Sequence, residues 1–252
     1  MFRFLLLTCC IFLTGHLFAQ SDLLTEARAS LADVDPDVTI AALDSLRATG
    51  AVSKELYLAL GNAYFADDRP GMAILSYERG LRLAPGNADL TNNLRFVRAD
   101  ANINELQVRE FFLTSWWRNV GAFLGAEIAQ WLALLLWAAA VAGAAFWFLR
   151  RKNLDEKQRF ALLPAAAICL VLAGLFYALG DSRAAYLAND REAVLVAREA
   201  SLRVAPGPDA TLEEALNEGV KFRILAEFDG YVKVVLDDGK QGYLPEDVVE
   251  RI

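Results

Sequence analysis

Hydrophobic and polar positions follow three regimes along the chain. From residue 21 to about residue 101, apolar residues recur three and four apart, the period of a helix with one buried face. Over residues 128–148 and 160–179 polarity vanishes, and these runs of 21 and 20 residues hold no charged residue. From residue 192 onward, short β-branched stretches are punctuated by Gly and Asp. The pattern predicts a helical region, two long apolar helices and a small all-β unit.

The apolar runs set the frame. At about 1.5 Å per residue each is about 30 Å long, the thickness of a bilayer's hydrocarbon core. Core helices of that length in soluble proteins normally carry a polar face, and these carry none. Between them, residues 149–159 (LRRKNLDEKQR) set five basic residues against Asp155 and Glu156. Short loops rich in Lys and Arg stay in the cytoplasm. The expectation is a two-helix transmembrane hairpin, with spans at 128–149 and 160–180, a cytoplasmic loop at 150–159, and both flanks across the membrane. Small residues four apart in the first span (138–145, AAAVAGAA), and Ala165–Ala167, Ala173 and Gly174 in the second, suit close helix contact in lipid. Neither run holds an acidic, basic or imidazole side chain, so the pair is read as an anchor and not as an ion pathway.

Residues 1–19 have the pattern of a signal peptide. Arg3 supplies the positive start, residues 4–13 the apolar core and Ala19 the small residue before a mature chain beginning at Gln20. An uncleaved anchor is the alternative, and it gives the same topology. Cys9 and Cys10 are ordinary members of the apolar core, because a lipoprotein cut before Cys9 would divide that core and would follow the ill-suited Thr8.

Within the helical region (20–105), residues 54–87 form a helix–turn–helix unit. Tyr57, Leu60 and Tyr64 share a face of the first helix, and Gly61 admits close approach of the second. Arg69, Pro70 and Gly71 make the turn, Ala73 and Tyr77 fill the facing side, and Pro85-Gly86 ends the unit. Upstream, residues 38–49 have the pattern of a second helix of a degenerate unit. Downstream, residues 88–101 carry Leu90, Leu94 and Val97 at helical spacing. One such unit cannot bury its own face, so two to three are expected.

Residues 106–127 change character. Phe111, Phe112, Trp116, Val120 and Phe123 recur at helical spacing, and all five tryptophans lie between Trp116 and Trp147. Aromatic rings of this kind settle at the membrane interface, which predicts a juxtamembrane helix on the outer leaflet. Beyond it and the hairpin, residues 191–252 form the β unit. Residues 194–196, 221–228 and 231–236 have strand composition, and Asp229-Gly230 and Asp238-Gly239 are hairpin signals.

Composition narrows the chemistry. The formal charge is −7 without a basic stripe, which argues against a nucleic-acid partner. Cleavage after Ala19 would remove the only histidine, His16, and two of three cysteines, leaving Cys169 in mid-span. A histidine base, a disulfide framework and a His or Cys metal site are then all excluded. No enzyme activity, catalytic residue, metal site or cofactor is expected.

The spacing of Tyr57, Leu60, Gly61, Tyr64, Ala73, Tyr77 and Pro85 resembles a tetratricopeptide repeat, with Gly80 where that family has Ala. In peptide-binding members, asparagines at positions matching Asn62 and Asn93 hydrogen-bond a peptide's backbone or terminal carboxylate. The basic clamp position falls on Leu58, so strong reading of a charged C-terminus is not implied. The resemblance thus implies a partner-binding inner face of Leu58, Asn62, Phe65 and Asn93. The β unit resembles a bacterial SH3-like domain through Leu202-Arg203-Val204, Gly207-Pro208, Glu218-Gly219, Gly230-Tyr231-Val232-Lys233-Val234, Asp238-Gly239 and Gly242-Tyr243-Leu244-Pro245. It implies a small barrel with a groove at Tyr231, Tyr243 and Pro245. Tyr231 and Tyr243 stand where tryptophan is usual, and Ala205 where arginine is.

The order of parts resembles the BatE family of aerotolerance operons. That resemblance implies a bacterial inner-membrane protein with both soluble parts periplasmic. It implies partners among von Willebrand A-domain membrane proteins and a MoxR-type ATPase system. The functional expectation is a membrane-anchored scaffold; the alternative is an envelope-stress or cell-wall sensor whose β unit binds peptidoglycan or peptide. No feature of the sequence decides between them.

Overall fold

The computed structural model describes residues 35–103, 112–150 and 155–252. The leader reading of residues 1–19, the residue Phe111 and residues 151–154 of the basic loop, Lys152 included, lie outside the described residues. Among those described, an N-terminal region of seven helices, two of them a hairpin of long apolar helices, precedes a C-terminal seven-stranded antiparallel sheet.

The helical layer is α1 (Pro36–Ala48), α2 (Lys54–Ala66), α3 (Pro70–Leu83) and α4 (Ala88–Asp100). Each start is set by a cap. Asp35 accepts from the backbone N–H of Asp37, Ser53 Oγ from Leu56 N at 3.1 Å, and Asn87 Oδ1 from Leu90 N at 2.9 Å. The stops are local too. Arg69 N donates to Tyr64 O and Asp68 N to Phe65 O, with Asp68 at φ 55°, a Schellman closure without glycine. Asn102, also at φ 55°, closes α4 the same way.

Gly61 fixes the α2–α3 approach, since a Cβ there would stand 2.3 Å from Tyr77 Cε1. Gly80 does the same for α4, where a Cβ would meet Leu90 Cδ2 at 2.8 Å. The small residue expected near the end of this unit is therefore glycine because a leucine of the next helix occupies the methyl's place.

Next come α5 (Phe112–Leu124), α6 (Ala126–Arg150) and α7 (Glu156–Ala188). Gly125, at φ 76°, separates α5 from α6. Along the hairpin the buried seam is built of small residues: Ala129, Ala133 and Ala140 of α6, with Ala173 of α7. The two helices come close at Gly180, where a Cβ would stand 3.0 Å from the carbonyl oxygen of Ala126. Helix α7 does not stop at Gly180-Asp181. Residues 181–188 contain no helix breaker, and the helix runs on to Ala188, about 50 Å in all at about 1.5 Å per residue.

The sheet comprises β1 (Glu192–Leu195), β2 (Glu199–Arg203), β3 (Leu212–Asn217), β4 (Lys221–Phe228), β5 (Tyr231–Leu236), β6 (Gln241–Pro245) and β7 (Val249–Arg251), in the order β3-β2-β6-β5-β4-β1-β7. Both predicted hairpins form. Asp229 (φ 36°) and Gly230 (φ 81°) make the two-residue turn between β4 and β5. Gly239 (φ 88°) follows a turn closed by its own N–H to Leu236 O, and Leu236 N then bonds Lys240 O. Inward residues Leu202, Phe222, Ile224, Val232, Val234 and Leu244 form the core of the sheet.

The helical layer and the sheet make one body. Val194 of β1 is buried in the core of the helices, with Val196 and Ile252 packed against it. Glu218, before β4, accepts from Gly71 N at 3.1 Å and so caps α3, whose own N-cap residue Arg69 makes no cap bond. At the other end of α3, Arg183 of α7 donates to the carbonyls of Arg82 and Leu83, both at 2.9 Å. Arg82 in turn donates to Tyr186 O at 3.0 Å and to the backbone oxygen of Ile252. Arg79 donates to Arg251 O and pairs with Glu250 at 3.1 Å.

Candidate functional site

Helix periodicity puts Asn62 and Phe65 of α2 beside Asn93 of α4. Asn62 Oδ1 accepts two hydrogen bonds, from Tyr77 Oη and from Asn93 Nδ2, both at 2.8 Å. The carbonyl end of Asn62 is thereby spent inside the fold, and it satisfies the hydroxyl of a tyrosine only 1% exposed. Asn62 Nδ2 and Asn93 Oδ1 make no side-chain bond to another described residue. One donor and one acceptor, side by side and half-buried, are complementary to the C=O and N–H of an extended peptide.

Phe65 adds an apolar surface. Its ring meets that of Phe96 edge to face, with centroids 5.6 Å apart at 81°. Phe96 is 61% exposed, so the pair forms an open aromatic shelf next to the amides. Leu58 lies elsewhere in depth: it is 8% exposed and belongs to the helical core. The tetratricopeptide resemblance had pointed to three members of this open face, Asn62, Phe65 and Asn93. It missed Phe96, although Phe96 follows Asn93 by one helical turn and its exposed side chain was there to be found by that spacing.

The three sheet residues also come together. Tyr231 lies directly opposite Pro245 on one side and Phe228 on the other. Tyr243 meets Phe228 edge to face, with centroids 5.6 Å apart at 64°. Tyr231 and Lys233 alternate with the buried Val232 and Val234, so this aromatic cluster is on the sheet's outer face. Phe228 was not identified from sequence, although the Asp229-Gly230 hairpin signal already puts it opposite Tyr231.

Two polar clusters stabilise the body that carries these faces. Tyr64 donates to Asp44 Oδ2 at 2.8 Å, with the Arg69 guanidinium 4.9 Å from its ring centre. Burial and then the Asp44 carboxylate push its phenol up to about 12. Glu78, with its side chain 11% exposed, takes Arg98 at 2.6 Å and Lys221 at 3.0 Å. Lys221 also reaches Glu192 at 3.1 Å. Burial alone would raise the Glu78 carboxyl, but Lys221 and Arg98 more than offset it and hold it below the usual carboxylate range. Burial opposes the charge of Lys221 as well, and Glu78 and Glu192 outweigh it, leaving the ammonium above its ordinary value.

Neither face brings together a nucleophile and a base; both offer hydrogen-bonding and apolar contact, the chemistry of binding. No family model matches the chain, and no curated protein sequence matches it.

Proposed function

We propose that this chain is a scaffold anchored in a bacterial inner membrane. In this reading α6 and α7 span the bilayer, the loop at 150–159 is cytoplasmic, and helices and sheet stand together in the periplasm. The hairpin's outer surface supports it: Trp131, Leu135, Val171 and Ile168 are each at least 60% exposed, a surface that in water would drive aggregation. The helical layer is then a short tetratricopeptide-like array and the sheet a bacterial SH3-like domain. The resemblance to the BatE family points to von Willebrand A-domain membrane proteins and a MoxR-type ATPase system as partners. No reaction and no cofactor are part of the proposal.

The observation that carries it is the unspent amide donor and acceptor of Asn62 and Asn93 beside the exposed Phe65–Phe96 pair. A pull-down from solubilised membranes tests it. Recovery of A-domain membrane proteins by the wild-type chain, and their loss with Asn62→Ala/Asn93→Ala, is the expected result.

A second reading, an envelope sensor, is favoured by the outward cluster of Phe228, Tyr231, Tyr243 and Pro245. Clustered aromatic rings on an open sheet face suit a sugar ring or an apolar peptide segment. Retention on purified sacculi that depends on Tyr231 and Tyr243, with no A-domain protein recovered, would replace the first reading by the second.

A further inference from the structure

Helix α5 has two faces that do different things. Phe112, Trp116 and Phe123 are 71%, 55% and 89% exposed. At about 100° per residue they lie within an arc of about 40°, which Val120 and the exposed Leu113 widen to about 100°. The single charge of the helix, Arg118, is on the other side, 5.8 Å from the ring centre of Tyr186.

That other side is fastened to the end of α7, which Arg183 ties to α3 of the body. Trp117 Nε1 donates to Ser182 Oγ of α7 at 2.8 Å. Gly121 is buried, and a Cβ there would come 3.5 Å from Leu179. Asn119, exposed beside Phe112 at the edge of the stripe, reaches the turn between α3 and α4, where a Cβ on Gly86 would stand 2.9 Å from its Oδ1. Past Gly125 the exposed apolar stripe continues onto α6 through Ile128 and Trp131, 57% and 66% exposed.

We infer that α5 is a bracket whose Phe112–Trp116–Phe123 stripe lies in the headgroup–acyl boundary of the bilayer, while its opposite face braces the end of α7 that carries the soluble body and so holds that body at one fixed orientation above the membrane. The inference rests on the membrane reading above and adds to it. Continuity with the hairpin selects lipid as the occupant, and an uncharged stripe of Phe and Trp suits that boundary. A chain merely tethered to its anchor would swivel. Here Trp117, Asn119 and Gly121 on α5 and Arg183 on α7 leave no free joint between hairpin and body.

The test uses the full chain in lipid nanodiscs, with Cys9, Cys10 and Cys169 changed to Ser and single cysteines for nitroxide labels. Trp116→Cys, Phe123→Cys and Trp137→Cys report the stripe and the mid-hairpin; all three positions are exposed, so the labels do not disturb packing. Relaxation by oxygen against a water-soluble nickel complex reads depth. The expected result is a shallow lipid signal at 116 and 123 and a deep one at 137. A deep signal at 137 with water-like signals at 116 and 123 overturns the bracket and leaves the anchor standing. A water-like signal at 137 overturns both. A paired label at Phe123→Cys and Asp238→Cys reads orientation: one narrow distance is expected, and a broad distribution would overturn the fixed geometry.

Discussion

Asn93 hands one amide hydrogen to Asn62 across 2.8 Å, joining α2 to α4 over 31 positions of sequence. The bond orients both amides, so that Asn62 shows its nitrogen and Asn93 its oxygen on the open face. Pre-orientation of this kind lowers the entropy cost of binding a peptide. It also means that the two residues hold the fold as well as offering a contact.

Loss of the pair should therefore be read on two scales. A net hydrogen bond contributes about 1 kcal/mol, and about 1.4 kcal/mol is a factor of ten in affinity. Asn62→Ala/Asn93→Ala is expected to weaken partner binding by about tenfold or more in a titration. Asn62→Ala should also lower the melting temperature, because it leaves the Tyr77 hydroxyl without that acceptor. Tyr77→Phe in the same background should recover part of the melting temperature and none of the affinity.

Gly61→Ala separates packing from propensity. An added methyl favours a helix by about 1 kcal/mol. At 2.3 Å from a tyrosine ring that is 1% exposed, it has nowhere to go, and overpacking costs about 1–3 kcal/mol. Net destabilisation is expected in thermal melts of the solubilised chain. Gly174→Ala, which meets nothing within 4 Å, is the matched control and should be neutral or slightly stabilising.

Acid should unfasten helices from sheet through Glu78. Its folded pKa is depressed, so its contribution is present above the unfolded value of about 4.3 and is lost as pH falls through the folded value. Lys221 is raised, so its contribution is present below about 10.4 and is lost as pH rises through its folded value. Glu78→Gln leaves Arg98 and Lys221 facing an uncharged amide and should cost about 3 kcal/mol at neutral pH. Melting curves of wild type and Glu78→Gln should differ by several degrees at pH 7 and converge in strong acid. Equal stabilities at pH 7 would show that the cluster contributes nothing.

Arg183 ties the end of α7 to α3. Its two bonds to the last-turn carbonyls of α3 complement the negative end of the helix. Hydrogen bonds from a charged donor contribute about 1.5–3 kcal/mol each. Arg183→Gln should speed amide exchange in the end of α3 and in β7 while leaving the hairpin itself protected. Arg183→Lys, with a single nitrogen to place, should fall between the two.

Much of the fold was legible because its signals are local. The strands at 221–228 and 231–236, the turns at Asp229-Gly230 and Asp238-Gly239, and the Gly61–Tyr77 contact follow from composition and spacing. The joining of the parts was not legible. The Glu218 cap on α3 spans 147 positions and the Lys221–Glu78 pair 143, and isolated Glu and Lys residues look like any solvated charge. The nine residues of α7 beyond Leu179 turned polar just where a span was expected to end, so their continued helix was hidden. Leu58 fell at a groove-facing position by family spacing, and packing took it into the core. The candidate face was half visible: Asn62, Phe65 and Asn93 match family positions and Phe96 follows Asn93 by one helical turn, whereas the amide–amide bond and the edge-to-face meeting of Phe65 with Phe96 need the packing of α2 and α4.

The central claim is that the Asn62–Asn93 face recruits a membrane partner, and crosslinking in living cells addresses it most directly. A photoreactive amino acid placed at Phe96 sits on an exposed ring at the edge of that face. The account predicts an adduct with an A-domain membrane protein, abolished by Asn62→Ala/Asn93→Ala while the chain remains folded and in the membrane. No adduct from Phe96, together with a strong one from the same probe at Tyr231, would contradict it and move the recognition surface to the sheet.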